Sequence, residues 1–170
     1  MAFTIYDASV PPLTTMLENL AHVLKVGENH AAEQGIAADA YLQARLAPDM
    51  YPLIKQVQVA TDMAKGCGGR LAGADIPRFE DNETSFAQLQ DRIGRAVAFL
   101  KGLTPGAFEG AADKAITLKF PNAEFNFNGK DYVNHFALPN TYFHITMAYA
   151  ILRHKGVPLG KPDFMGRRRD

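Results

Sequence analysis

A chain of 170 residues with 47% hydrophobic and 21% charged content is long enough for one domain with a real core. Lys+Arg and Asp+Glu number 18 each, so no global charge draws it toward nucleic acid or an anionic membrane. The one cysteine, Cys67, rules out an intrachain disulfide and a cysteine-built zinc site.

The N-terminus MAFTIYDASV has no basic region followed by a long apolar core, so no secretory signal is expected. No apolar run reaches the ~20 residues that a membrane span needs. A cytoplasmic protein is expected. One domain is read over residues 1–166, and residues 167–170 form a basic tail read as solvated.

Ser9 is a plausible N-cap for the first helix, with Pro11 and Pro12 tolerated in its first turn. Leu13, Met16, Leu17, Leu20, Val23 and Leu24 repeat at three and four, which predicts an amphipathic helix to about Gly35. His22 and His30 lie off that stripe and read as solvated. Residues 37–46 make a short helical connector. Asp49 is placed to cap the next helix, with Pro52 in its first turn. Met50, Leu53, Ile54, Val57, Ala60, Ala64, Cys67 and Leu71 mark the buried face of that second long helix. Val59 and Met63 add a second apolar flank. Cys67, on the main stripe among small residues, reads as a buried and unreactive thiol. Gly66, Gly68 and Gly69 either admit a close neighbouring helix or loosen the end of this one.

The polar segment GADIPRFEDNET precedes a third helix. Ser85 with Gln88 reads as its capping box. Phe86, Leu89, Ile93, Val97, Leu100 and Leu103 form its stripe. AITLKF and AEFNF, separated by Pro121-Asn122, predict a β-hairpin. The last helix starts near Lys130, kinks or restarts at Pro139, which lacks an N–H, and ends at Gly156 and Pro158. The fold class is therefore all-α: a four-helix bundle with a small β-hairpin between helices 3 and 4.

The last helix carries the most informative pattern. Val133, Phe136, Ala137, Met147 and Ile151 make an apolar stripe with Asn140 and His144 on it. Residues four apart lie one above the other, so the stripe has a polar hole at its centre. Gln56, in line with Asp49 one heptad earlier, is the nearest buried polar candidate on the second long helix. Tyr142 and Tyr149 could partner the pair. The candidate ligand-binding residues are Gln56, Asn140, His144, Tyr149 and Asp49. The bland alternative is a hydrogen-bonded core pair that fixes helix register. No phosphate-binding glycine loop or nucleophile–base pair is present.

The strings YDASVPPLTTMLENL, RLAPDMYPLIKQVQVATDMAKG, PRFEDNETSFAQL and HFALPNTYFHITMAYAILRHKGVPLGKPDF resemble a family of bacterial proteins of unknown function, similar in fold to the DinB/YfiT-like metalloenzymes. That resemblance implies a four-helix bundle, often a homodimer; some such proteins are metal-dependent thiol transferases or hydrolases. The wider pattern has one His on the second helix and a His-x3-His pair on the fourth, followed by Leu-Arg and Gly. Leu152-Arg153 and Gly156 match that ending. His144 falls on the second His of the pair, Asn140 on the first, and Gln56 is the nearest match on the second helix. Catalytic zinc needs three protein ligands, and two are missing here.

Three functions compete. The first is a degenerate DinB-like bundle with no metal cofactor, binding a small polar ligand around His144. The second is a metalloenzyme using a divalent ion such as zinc or nickel, with His144 as a ligand. The third is a homodimeric structural or stress-related module without a pocket.

Overall fold

Thr4 opens the first helix, α1 (Ile5–Glu33), by a reciprocal capping box. Its Oγ1 accepts from the Asp7 N–H at 3.2 Å, and the Asp7 carboxylate accepts from the Thr4 N–H at 2.9 Å. The box satisfies the Asp7 and Thr4 N–H groups, so Ser9 is not the cap. Ser9 lies inside the helix, its hydroxyl donating to the Ile5 carbonyl at 2.7 Å, and Pro11 and Pro12 are helix-interior residues. The structure, a computed structural model, describes residues 2–167. Of the basic tail, residues 168–170 lie outside the described residues.

The connector contains a single turn, α2 (Asp39–Leu42). The second long helix, α3 (Leu53–Ala72), has no side-chain cap. Asp49 does not serve, because the N-cap position falls three residues later, at Pro52; the first N–H, that of Leu53, reaches the Ala44 carbonyl at 2.9 Å. Next comes α4 (Phe86–Lys101), capped by the Ser85 hydroxyl. The Gln88 carboxamide turns to the Thr84 N–H at 2.6 Å rather than to Ser85, so only half of the expected box forms.

Strands β1 (Ala115–Phe120) and β2 (Ala123–Asn128) pair antiparallel, Phe120 opposite Ala123, around the two-residue turn Pro121-Asn122. A lone hairpin is marginal in water. This one is held by its aromatic rings: Phe120, Phe125 and Phe127 lie 5.7–6.4 Å, centroid to centroid, from Phe136. Asn128 caps a short turn, α5 (Gly129–Tyr132). One π turn follows over Val133–Ala137, and α6 (Leu138–His154) restarts with Pro139 in its first turn. The break predicted at Pro139 takes this form: the wider turn stands directly before the residue that cannot donate. A last turn, α7 (Lys161–Phe164), lies beyond the expected end.

The described residues are mostly helical, with this small two-stranded hairpin. The long helices bury one continuous core, α3 lying against both α4 and α6, and α1 against both α4 and α6. Gly68 lets α4 approach α3: a Cβ there would sit 2.7 Å from Leu100 and 2.8 Å from Leu103. Cys67 lies in this core, where burial pushes its thiol pKa up to about 12, so the sulfur stays protonated. No helix among the described residues is long and apolar enough to cross a membrane.

Two histidines read as solvated have partners. His22 Nε2 lies 2.9 Å from the Asp163 carboxylate, and His30 Nδ1 lies 2.9 Å from the Tyr41 hydroxyl. Both partners come from segments that fold back onto α1, which helical periodicity does not reveal.

The segment between α3 and α4 is fastened by Arg92, which is fully buried. Its guanidinium donates to the Thr61 hydroxyl at 2.8 Å, the Glu80 carbonyl at 3.0 Å, Glu83 at 2.9 Å and Asp62 at 3.0 Å. Asp81 lies 3.1 Å away, and Gln58 donates to the other Glu83 oxygen at 2.8 Å. Burial would raise the Glu83 pKa, but the Arg92 and Gln58 bonds outweigh it and hold that carboxyl below its ordinary value.

Candidate functional site

Helices α3 and α6 run antiparallel, and two polar contacts tie α3 to the segment from α5 to α6. At one end Arg70 donates to the Tyr132 hydroxyl at 3.2 Å. Toward the other, His144 Nδ1 meets Gln56 Oε1 at 2.7 Å. Gln56 is 1% exposed and His144 8% exposed. The Gln56 Nε2 donates to the Tyr51 carbonyl at 3.0 Å. A carbonyl only accepts, so the orientation of the carboxamide is set: its nitrogen faces Tyr51 and its oxygen faces His144. A carboxamide oxygen also only accepts. His144 therefore carries its proton on Nδ1.

That leaves Nε2. Burial moves the His144 pKa below its ordinary value of 6.5, so the ring is neutral at pH 7 and Nε2 holds an open lone pair. Among the described residues no group is hydrogen-bonded to it. The ring borders a groove of about 230 Å³ lined by Asp49, Met50, Tyr51, Gln56, Phe143 and His144. Tyr51 and Phe143 are half exposed, at 53% and 52%, and stand at the mouth as aromatic walls. Asp49 is exposed and makes no ion pair among the described residues.

Of the five candidate residues, three line the groove: Gln56, His144 and Asp49. Two do not. Asn140 is half-buried and donates to the Phe136 carbonyl of its own helix at 2.7 Å. The buried stripe runs instead through Ala137, Thr141, His144, Ile145, Ala148 and Ile151. The π turn underwinds the chain before Pro139 and rotates the following stripe, bringing Thr141 inward where Asn140 was expected. Tyr149 packs edge-on against Phe164 of α7, 6.0 Å between centroids. That contact could not be anticipated without α7. His135 is exposed. Met50, Tyr51 and Phe143 are groove residues that sequence reasoning missed. A usable signal existed for Phe143, an aromatic residue off the buried stripe beside the one buried histidine.

The donor set does not suit a divalent metal. Catalytic zinc takes three strong protein ligands, and among the described residues that line this groove one imidazole is present, His144. Both ends of the Gln56 carboxamide are engaged, and Asn140 faces its own helix. Among the described residues no three His, Cys, Asp or Glu side chains are grouped to hold an ion.

Comparison with known proteins gives the family and the fold. Residues 5–165 match the family model described as a domain of unknown function, DUF1993. No curated protein matches. A crystal structure of a DinB family member protein from Shewanella denitrificans superposes with a TM-score of 0.87 and 37% sequence identity, covering 97% of this chain and 93% of that one. The chain therefore belongs to the DUF1993 family of unknown function and shares the fold of a DinB family member.

Proposed function

We propose that the protein is a DinB-like four-helix bundle that has lost the family's metal ligands and binds a small ligand in the groove at His144. One observation carries this reading: a buried, neutral imidazole that lines the groove is locked by Gln56 into the Nδ1–H form, and its other nitrogen has no hydrogen-bond partner among the described residues. A histidine kept only for helix register needs no access to solvent. Groove size argues for a small ligand, since ~300–1,000 Å³ is usual for drug-sized molecules.

The test is an NMR screen of small amines, alcohols and carboxylates that follows the His144 ring and the Asp49, Tyr51 and Phe143 amides. Some members should move these resonances and leave Tyr132 unmoved, and His144→Ala should abolish the response. A library that leaves the ring unmoved would reduce Gln56 and His144 to a register pair and leave a structural module.

A homodimer is also proposed. Val59 and Met63 of α3 are only half-buried, and Phe120 and Phe125 expose large apolar rings. Such surface is commonly covered by a partner. Sedimentation should return a dimer at micromolar concentration; a monomer removes the proposal.

A further inference from the structure

We infer that the ligand of this groove is an organic ammonium: a protonated primary or secondary amine on a short apolar body. The inference rests on the reading of the groove as a ligand site and adds the chemical class.

The two strongest open polar groups both accept. On the neutral ring His144 Nε2 holds a lone pair, because Gln56 fixes the single proton on Nδ1. The Asp49 carboxylate lines the same groove and is unpaired among the described residues. An ionised carboxylate and an unprotonated ring nitrogen can take a hydrogen bond and offer none. A carboxylate or phosphate ligand would meet like charge at Asp49 and a lone pair at Nε2. An ammonium supplies the donors that both groups lack.

The walls fit the same class. Tyr51 and Phe143 present aromatic rings at the mouth, and an aromatic face attracts a cation through its quadrupole. Met50 completes an apolar lining. The nearby cations on the same segments are engaged elsewhere: Lys55 pairs with Asp81, and Arg45 donates to the Pro48 carbonyl at 3.3 Å. One feature opposes the assignment. The groove lies at the start of α3, whose N-terminus carries roughly half a positive unit charge. Asp49 carries a full negative one, and the first N–H of α3 is already taken by Ala44.

The experiment compares three probes of one size at pH 7: benzylamine, protonated at that pH, with neutral benzyl alcohol and anionic benzoate. Each is titrated into the full chain while the His144 ring is followed by NMR. Benzylamine should bind about tenfold or more tightly than benzyl alcohol, as expected for a cation gaining a charge partner and an aromatic face. Benzoate should bind weakest. Asp49→Asn should remove the preference of amine over alcohol while the ring still responds. Asp49 is exposed and caps nothing, so the variant should fold, and circular dichroism checks that it does. Benzyl alcohol binding as tightly as the amine would overturn the ammonium inference and leave the ligand site standing. Benzoate binding tightest would overturn it in favour of an anion site at α3. Zinc seated at Nε2 and displacing the amine would overturn it in favour of a metal. Silence from all three probes would also overturn it, and only the wider library decides the site itself.

Discussion

Two polar clusters are buried on α3, and they differ in one respect. Around Arg92 every donor direction is occupied: Thr61, Glu80, Glu83 and Asp62 take its protons, and Gln58 holds the second Glu83 oxygen. Around His144 the chain of bonds runs from Tyr51 through Gln56 to Nδ1 and stops. The first cluster is closed and its products are structural: it fastens the segment between α3 and α4. The second is open by one nitrogen, and its ring lines a groove. Burial alone does not separate a site from a staple. An unfinished hydrogen-bond chain does.

The sharpest way to break the comparison is Arg92→Ala. Removing one partner of a buried ionic cluster leaves the others uncompensated, at a cost of about 3–5 kcal/mol. Denaturant titration should show this loss, with the groove's response to ligand unchanged wherever the variant remains folded. His144→Ala should cost less, about 1–3 kcal/mol, because it orphans one Gln56 oxygen and leaves the Tyr51 bond intact. A neutral His144→Ala would remove the core-pair contribution and leave His144 a binding role alone.

The clusters should also part company in pH. The folded His144 pKa lies below 6.5, so on acidification the unfolded chain takes up a proton that the folded ring refuses. Stability is therefore full above 6.5 and falls as pH drops from there toward the folded value. Glu83 is likewise held below its ordinary 4.5, so its contribution is full above 4.5 and is lost as pH falls through the folded value. His144→Phe should flatten the first fall and spare the second; denaturation midpoints across this range check it. The smallest effect belongs to Asn140→Ala, within about 0.5 kcal/mol, since the half-buried Asn140 side chain bonds only to its own helix. A large loss measured in the same titration would put Asn140 back into the site.

The helices were legible because apolar residues at three and four specify a buried face, and the hairpin because Pro121-Asn122 separates two short β-prone runs. Gln56 and His144 were legible as polar residues at core spacing on helices that had to meet. Asn140 failed because one π turn changes the phase of the helix, which a fixed period cannot register. Arg92 left a trace that was not used: it stands at core spacing between Leu89 and Ala96. Its carboxylate partners come from a loop whose path no local pattern dictates. Tyr149 and His22 were misplaced for the same reason, since α7 returns to cover them.

The tautomer of His144 is the most direct test of the central claim. Long-range proton–nitrogen NMR on uniformly labelled protein at pH 7 distinguishes a protonated from an unprotonated ring nitrogen. The hydrogen-bond chain from Tyr51 through Gln56 requires Nδ1 protonated, burial keeps the ring neutral and so leaves Nε2 bare, and Gln56→Leu should release the ring toward the Nε2–H form. A wild-type ring found protonated on Nε2, alone or as the imidazolium, would contradict the account.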